Sequence, residues 1–466
     1  MASLVSKDRL TESFRVISGV KLAILIVLMA FIPISQGGLT PGAFAIWLIA
    51  AGILSGLSVY AGLFKPDKTN QNKPNSGLSW AVVWLIVTAV CLVHVVFKVS
   101  ISEYWISGFR GIKVLSPELN PPSPSLMSYA RLQTLGTWAF FTAFWSIAYV
   151  SSRLRRTQVK WVLVVVLIMG AFEAIYGLMS MRGDGDILGL WQKIYYASDA
   201  TGTFTNRNHF ANFLALCLPL GICALSGDKP WVMSRYPKHY RLFLLSVFVA
   251  ITIIAALASH SRMGLMVTLV AGASWLGLSQ LRKRRRLKAI DWAGLVAAIV
   301  LVALMMLWFG VNETTARAVN LADGDGRLQI WSSIFNLPNK VWISGIGPGN
   351  FSEVFALVKP IDSGAFYYYA HNDYLEFVLE YGVPISIIFI ATVAVWFKLN
   401  FKGSLIKDKL SIRTAAACSL IVMTIHSLVD FSLQIPANAT YFALALGLLL
   451  NHKLSDQIRR KNVKSG

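Results

Sequence analysis

Three arginines, a histidine and a glycine-rich turn occupy the polar stretches of an otherwise apolar chain. Arg207 lies in Thr203-Phe-Thr-Asn-Arg-Asn-His-Phe-Ala211, and Arg262 in Ser259-His-Ser-Arg-Met-Gly264. Arg327 stands four residues before Trp331. Gly345-Ile-Gly-Pro-Gly-Asn-Phe351 and His371-Asn-Asp-Tyr-Leu-Glu376 follow. Arginine stays charged, and its planar fork matches phosphate oxygens. Converging arginines could bind a pyrophosphate and stabilise it as a leaving group. A neutral His371 could take the proton of an attacking hydroxyl, oriented by Asn372, Asp373 or Glu376. The plainer readings are arginines that snorkel to lipid headgroups and a histidine that caps a helix. Spacing alone leaves both open.

Other polar residues join these with less definition. Asn208 and His209 line the same mouth as Arg207 or simply order a helix start. Asp430, in Asp430-Phe-Ser-Leu-Gln-Ile-Pro-Ala-Asn438, could pair with one of the arginines. Asp184-Gly-Asp186 and Asp323-Gly-Asp325 invite a divalent cation, but such strings are also ordinary turns. Turns are favoured, because arginines already supply positive charge; no metal and no other cofactor is expected. Gly345-Ile-Gly-Pro-Gly349 lacks the Gly-Lys-Ser/Thr ending of a phosphate-binding loop and reads as a tight turn. Cys91, Cys217, Cys223 and Cys418 fall in apolar runs without metal-ligand spacing, so they read as small hydrophobes.

The elements that must position these residues are membrane helices. Of 466 residues, 55% are hydrophobic and 14% charged, with mean hydropathy +0.58. Soluble domains carry about 25% charged residues. Twelve apolar runs are long enough to be helices: 16–36, 41–63, 78–98, 131–150, 160–180, 209–226, 242–259, 263–280, 290–310, 374–397, 412–430 and 436–451. The whole chain therefore reads as one all-α polytopic membrane domain.

Connecting segments alternate in basicity. Placing both termini in the cytoplasm puts 30 of the 43 Lys and Arg there, which is the positive-inside pattern. The net charge of +21 is then a topology signal helped by anionic lipid, and no nucleic-acid partner is implied. The first run is too long for a signal-peptide core and reads as a retained span. The largest outer segment is 311–373, between the ninth and tenth spans, with short helices expected around 327–337 and 350–359. Asn120-Pro-Pro-Ser-Pro124 reads as a stiff outer loop. Glu173, His94 and His426 are ionisable groups inside spans, which are functional candidates by default. They are few for an ion-coupled transporter, and no internal repeat or paired interrupted span supports one.

The Thr203–Ala211, Ser261–Gly264, Arg327/Trp331, Gly345–Phe351 and His371–Glu376 motifs resemble the O-antigen ligase and polymerase superfamily, which includes bacterial O-linked oligosaccharyltransferases. The resemblance covers roughly residues 160–440. It implies a metal-independent, inverting glycosyltransferase of the GT-C type in the bacterial inner membrane. Its site would face the periplasm. The donor would be an undecaprenyl-diphosphate-linked glycan, and the acceptor a second glycan or lipid A–core. Carried onto this chain, the resemblance makes His371 the base, with Arg262 and Arg327 on the diphosphate. Arg207, Asn208, His209, Trp331, Asn372, Asp373 and Asp430 would line the substrate site. Polymerisation is slightly favoured over ligation. Transfer to protein is disfavoured, because the chain lacks a long C-terminal extension. A twelve-span transporter and a non-catalytic scaffold are the rival classes.

Overall fold

A computed structural model of the chain describes residues 2–64, 76–96, 124–181, 195–226, 236–283, 326–337, 339–358, 367–401 and 411–451, with Lys193 and Leu454. The expected ninth span at 290–310, residues 120–123 of the proline-rich loop and both Asp-Gly-Asp strings lie outside these residues, as does the side chain of His94.

Among the described residues the fold is all-helical. The helices are α1 (Ala2–Ile34), α2 (Pro41–Phe64), α3 (Ser76–Val96), α4 (Pro124–Ser152), α5 (Arg156–Met179), α6 (Arg207–Ser226), α7 (Lys238–Ala258) and α8 (Arg262–Lys283). Three short helices follow: α9 (Gly326–Phe335), α10 (Asn339–Ser344) and α11 (Phe351–Val358). The last four are α12 (Asp373–Tyr381), α13 (Val383–Asn400), α14 (Ile412–His426) and α15 (Pro436–Leu449). Among the described residues seven helices are long and apolar enough to cross a membrane, and Ser79–Val93, Ile412–His426 and Pro436–Leu449 are shorter apolar helices. The protein is therefore a polytopic membrane protein.

Helix α6 is the hub. Its apolar window is 89% buried, against 50% or less for every other candidate span, so it faces protein on all sides while the others show a face to lipid. Ser419 Oγ of α14 donates to the Leu216 carbonyl of α6 (2.8 Å), and Phe213 packs edge-on to Tyr441 of α15. Trp47 Nε1 donates to Thr440 Oγ1 (2.8 Å) and Tyr441 Oη to the Met29 carbonyl (3.0 Å), tying α15 to α2 and α1. Trp80, Trp145 and Trp396 meet pairwise at 4.7–4.8 Å and join α3, α4 and α13. Each such aromatic pair contributes about 0.5–1.5 kcal/mol beyond its buried area.

Glu173, the ionisable residue inside α5, has a structural explanation. Its Oε2 accepts the Thr203 N–H (2.9 Å), and its Oε1 lies 2.8 Å from the Thr203 hydroxyl. The same hydroxyl donates to the Pro33 carbonyl at the end of α1 (2.7 Å). Glu173 thus anchors the Thr203–Ala211 motif to the bundle.

The run 374–397 does not form one continuous span. Gly382, with φ +77°, separates α12 from α13, and Pro384 sits in the first turn of α13. A Cβ at Gly382 would run into the Ile343 carbonyl, and one at Gly345 into the Glu380 carbonyl. Only glycines let these two backbones meet. Ile346 N–H then donates to the Leu379 carbonyl and Gly347 N–H to the Glu380 carbonyl, both at 3.0 Å. The glycine turn is therefore a docking joint between the loop and the C-terminal end of α12. Thr134 Oγ1 of α4 fastens it to the bundle by donating to the Pro348 carbonyl (3.0 Å).

Helices α9–α12 enclose a second, smaller core of Ile330, Ile334, Leu337, Val341, Ile346, Phe351, Val354, Phe355, Ala370 and Leu379. The described residues of α9–α12 thus form a compact cap on one end of the bundle, with its own apolar interior.

Candidate active site

The cap meets the bundle at Asp430, in the turn after α14. Its side chain is fully buried. Oδ1 accepts the N–H of Phe431, the next residue, at 2.8 Å. His209 Nε2 stands 3.6 Å and His371 Nδ1 3.7 Å from the same Oδ1, while Arg327 Nη2 stands 3.6 Å from Oδ2. These are ion-pair separations, longer than hydrogen bonds. Burial alone would raise the Asp430 carboxyl, but the imidazoles of His209 and His371 hold it well below the usual carboxylate range.

Phe431 gathers two of these elements, α6 and the segment before α12, through its ring. The ring of His209 meets it edge-on at 4.6 Å, that of His371 edge-on at 4.9 Å, and Tyr369 stacks on it at 4.2 Å. One dipeptide, Asp430-Phe431, therefore carries a charge centre and an aromatic centre for groups from α6, α9 and the start of α12.

Local sequence explains how each group arrives there. Arg327 is the second residue of α9, and Trp331, one turn on, donates from Nε1 to the Ala370 carbonyl (2.9 Å). That bond fixes α9 beside His371. His371 has φ +53°, a left-handed conformation that costs a non-glycine residue about 1–2 kcal/mol. Bonds on both sides hold it. Ala370 N–H donates to Glu376 Oε2 (2.6 Å), Asn372 caps α12 by accepting from Tyr374 and Leu375, and Asp373 N–H donates to the Ser427 carbonyl (2.9 Å). The Asp373 carboxylate accepts the Leu433 N–H (3.3 Å), and Gln434 Nε2 donates to Glu376 Oε1 (2.8 Å). The chain around His371 is thereby stapled to the turn that bears Asp430.

Arg207 and His209 part company. They are the first and third residues of α6, and positions two apart do not share a helix face. His209 turns inward to Asp430. Arg207 turns to Asp199, with Nη1 2.7 Å from Oδ2, and its guanidinium lies over the Tyr196 ring at 5.1 Å. His260 Nδ1 meets the other Asp199 oxygen at 2.8 Å. Asn208 Oδ1 accepts from Ser261 Oγ (2.7 Å), and the Ala200 N–H donates to the Ala258 carbonyl (2.9 Å). This second cluster ties the loop before α6 to the turn between α7 and α8. Arg262 opens α8 with an exposed side chain.

The structure thus gathers Arg327, His371, His209 and Asp430, with Trp331, Asn372 and Asp373 supporting them. It places Arg207 and Asn208 in the Asp199 cluster. Sequence reasoning missed Asp199, His260, Phe431 and Gln434. Asp199 lies in a loop without a motif. In the short Asp430–Asn438 stretch only the acid stands out by residue type. Among the described residues no group of three or more His, Cys, Asp or Glu side chains has the arrangement of metal ligands.

Residues 247–390 match the family model described as O-antigen ligase (Wzy_C). This is a membrane protein with an O-antigen ligase domain. The matched segment runs from α7 through α8 and the cap into α13, and it contains Arg262, Arg327, Trp331, the glycine turn and His371. The match over this segment implies glycan transfer of the ligase or polymerase type, with lipid-linked glycans as substrates. No curated protein and no solved structure matches the chain.

Proposed function

We propose that this O-antigen ligase family protein moves a glycan from undecaprenyl diphosphate to an acceptor hydroxyl at the periplasmic face of the bacterial inner membrane. On this reading it is an inverting, metal-independent glycosyltransferase of the GT-C type. It has about twelve spans, cytoplasmic termini and the 311–373 loop outside; residues 160–440 carry the ligase/polymerase region. The carrying observation is that Asp430 brings Arg327 and His371, from opposite ends of the cap, within 4 Å of one buried carboxylate.

His371 turns Nδ1 toward Asp430, and its side chain is 26% exposed. That leaves Nε2 to meet the acceptor, as a base oriented by a carboxylate should. The acceptor oxygen attacks the anomeric carbon, and its proton passes to His371. The bond from that carbon to the diphosphate oxygen breaks, and the electron pair leaves with the diphosphate. A single displacement inverts the anomeric centre. Arg327, 27% exposed, and the exposed Arg262 supply positive charge for the leaving group. The acceptor is either the next lipid-linked repeat, as in a polymerase, or lipid A–core, as in a ligase, with polymerisation slightly favoured.

The test is deletion in the native host, complemented with wild type and with His371→Ala. Loss of the base should lower transfer by about 10²–10⁴-fold while the protein still inserts. Surface glycan resolved on a gel reads the outcome. Single repeat units on the carrier would identify a polymerase, and accumulated long chains a ligase. Normal glycan in the mutant would remove His371 as the base.

A further inference from the structure

One oxygen of Asp430, Oδ1, has fewer acceptor positions than the groups that face it. A carboxylate oxygen has two lone-pair directions. On Oδ1 one of them is taken by the Phe431 N–H at 2.8 Å. Two imidazole nitrogens face the remaining one, His209 Nε2 at 3.6 Å and His371 Nδ1 at 3.7 Å, and both are buried atoms without a hydrogen-bond partner. The two rings are placed alike, each edge-on to Phe431. They differ in access. The His371 side chain is 26% exposed, whereas that of His209 is 3% exposed. His209 is also held by its backbone, whose carbonyl accepts from Asn438 Nδ2 (3.2 Å) at the start of α15. A side chain so enclosed is poorly placed to touch a glycan or a diphosphate.

We infer that His209 is a positioning residue that competes with His371 for the one acceptor direction left on Asp430 Oδ1, and so sets how firmly Asp430 holds the base. This rests on the reading of His371 as the base. When His209 occupies the oxygen, His371 is free to turn. When His209 gives it up, Asp430 accepts from His371 Nδ1–H, fixes the tautomer with Nε2 unprotonated, and stabilises the imidazolium formed as the acceptor loses its proton. No new reactant is needed, since the proton moves only from the acceptor hydroxyl to His371. The charged and titratable groups facing this carboxylate from the packed elements are Arg327 of α9, His371 and Asp373 at the start of α12, His426 at the end of α14 and His209 of α6.

The test uses the full chain, purified in detergent with ¹⁵N-labelled histidine, as wild type, His209→Phe and His209→Gln. Phenylalanine keeps the packing on Phe431 and removes the nitrogen; glutamine restores a donor near Nε2. Ring ¹⁵N shifts, assigned with His371→Gln, read the tautomer of His371 without any substrate. His209→Phe should move His371 toward the Nδ1–H tautomer, and His209→Gln should return it toward wild type. In a transfer assay with native-host membranes as the donor source, His209→Phe should shift the acid limb of the rate profile up by about one pH unit. KM should be unchanged. An unchanged tautomer in His209→Phe overturns the inference, and so does a rise in KM without a shift of the limb, which would make His209 a substrate ligand. If His209→Phe does not fold, Asp430→Asn serves instead: it should change the His209 and His371 shifts together, and a change in only one of them sinks the competition. Activity surviving in His371→Ala would remove the base itself, a failure separate from an unaltered tautomer.

Discussion

Two carboxylates on the same end of the bundle are handled in opposite ways. Asp199 is fully engaged, with Arg207 at 2.7 Å and His260 at 2.8 Å, one on each oxygen. Asp430 is more deeply buried, yet its cation and both imidazoles stand at 3.6–3.7 Å. A charge-assisted hydrogen bond shortens to about 2.7–2.9 Å when nothing prevents it. The Asp199 cluster is therefore complete as it stands and acts as a latch between two loops. The Asp430 cluster is held apart by its framework, with polar atoms still lacking partners, and is built to receive something. Loose geometry at a buried charge is costly, and in a membrane bundle it marks the site more clearly than a tight ion pair does.

The sharpest way to break this contrast is to neutralise each acid in turn. Asp430→Asn should cost about 10²–10³-fold in transfer, since it takes away the group that orients His371 and pairs Arg327. Its melting temperature in detergent should fall less than that of Asp199→Asn, because the carboxylate makes its one short bond to the adjacent N–H and its charged partners stand at 3.6–3.7 Å. Asp199→Asn should do the reverse. Weakening two short bonds made to a charged carboxylate removes about 1.5–3 kcal/mol of stability for each, while transfer per folded molecule stays within a few-fold of wild type. If the two mutants lose activity equally, or Asp430→Asn melts first, the division into site and latch is wrong.

How far this was legible in sequence depends on the length scale of the cause. The spans follow from apolar runs, and most helix ends fall near their expected places. The break at Gly382 was hidden, because the run 374–397 is apolar throughout and the requirement for glycine comes from the distant Ile343 carbonyl. His371 and Arg327 could be singled out by motif, but their meeting at Asp430 depends on the cap folding back through Trp331 and the glycine joint. The separation of Arg207 from His209 was readable in principle, since residues two apart on a helix point to different sides. Asp199 was not readable at all: its partners Arg207 and His260 lie on two other elements, and its own loop has no pattern.

A smaller effect should come from the tie between cap and base. Trp331→Phe removes only the Nε1–H bond to the Ala370 carbonyl, about 1 kcal/mol, and leaves the aromatic packing. Arg327 and the residue before His371 would lose their common anchor. Transfer should fall several-fold, with the melting temperature of the bundle almost unchanged. Trp331→Phe with wild-type activity would show that α11, the glycine joint and the Asn372 cap suffice to place His371.

The smallest and most selective prediction concerns pH, where the two ends of the Asp430 region respond with opposite sign. The Asp430 carboxyl lies well below its ordinary value, so its contribution to stability is present at all pH values above the usual carboxylate range and is lost only as pH falls through its depressed value. Glu376, which holds Ala370 and Gln434, is pushed the other way. Burial and then the neighbouring Glu380 carry it up to about 8. Between its unfolded value near 4.5 and 8 the native state keeps a proton that the unfolded chain has released, so stability should decline as pH rises through that window. A melting temperature followed from pH 5 to pH 9 in detergent should therefore slope downward in wild type. Glu380→Gln removes the like charge, the second cause after burial, and should make the slope shallower, whereas Asp430→Asn should leave it intact. A slope that vanished in Asp430→Asn but survived in Glu380→Gln would reassign the titration to the histidine cluster, and with it the claim that Asp430 is insensitive to pH in this range.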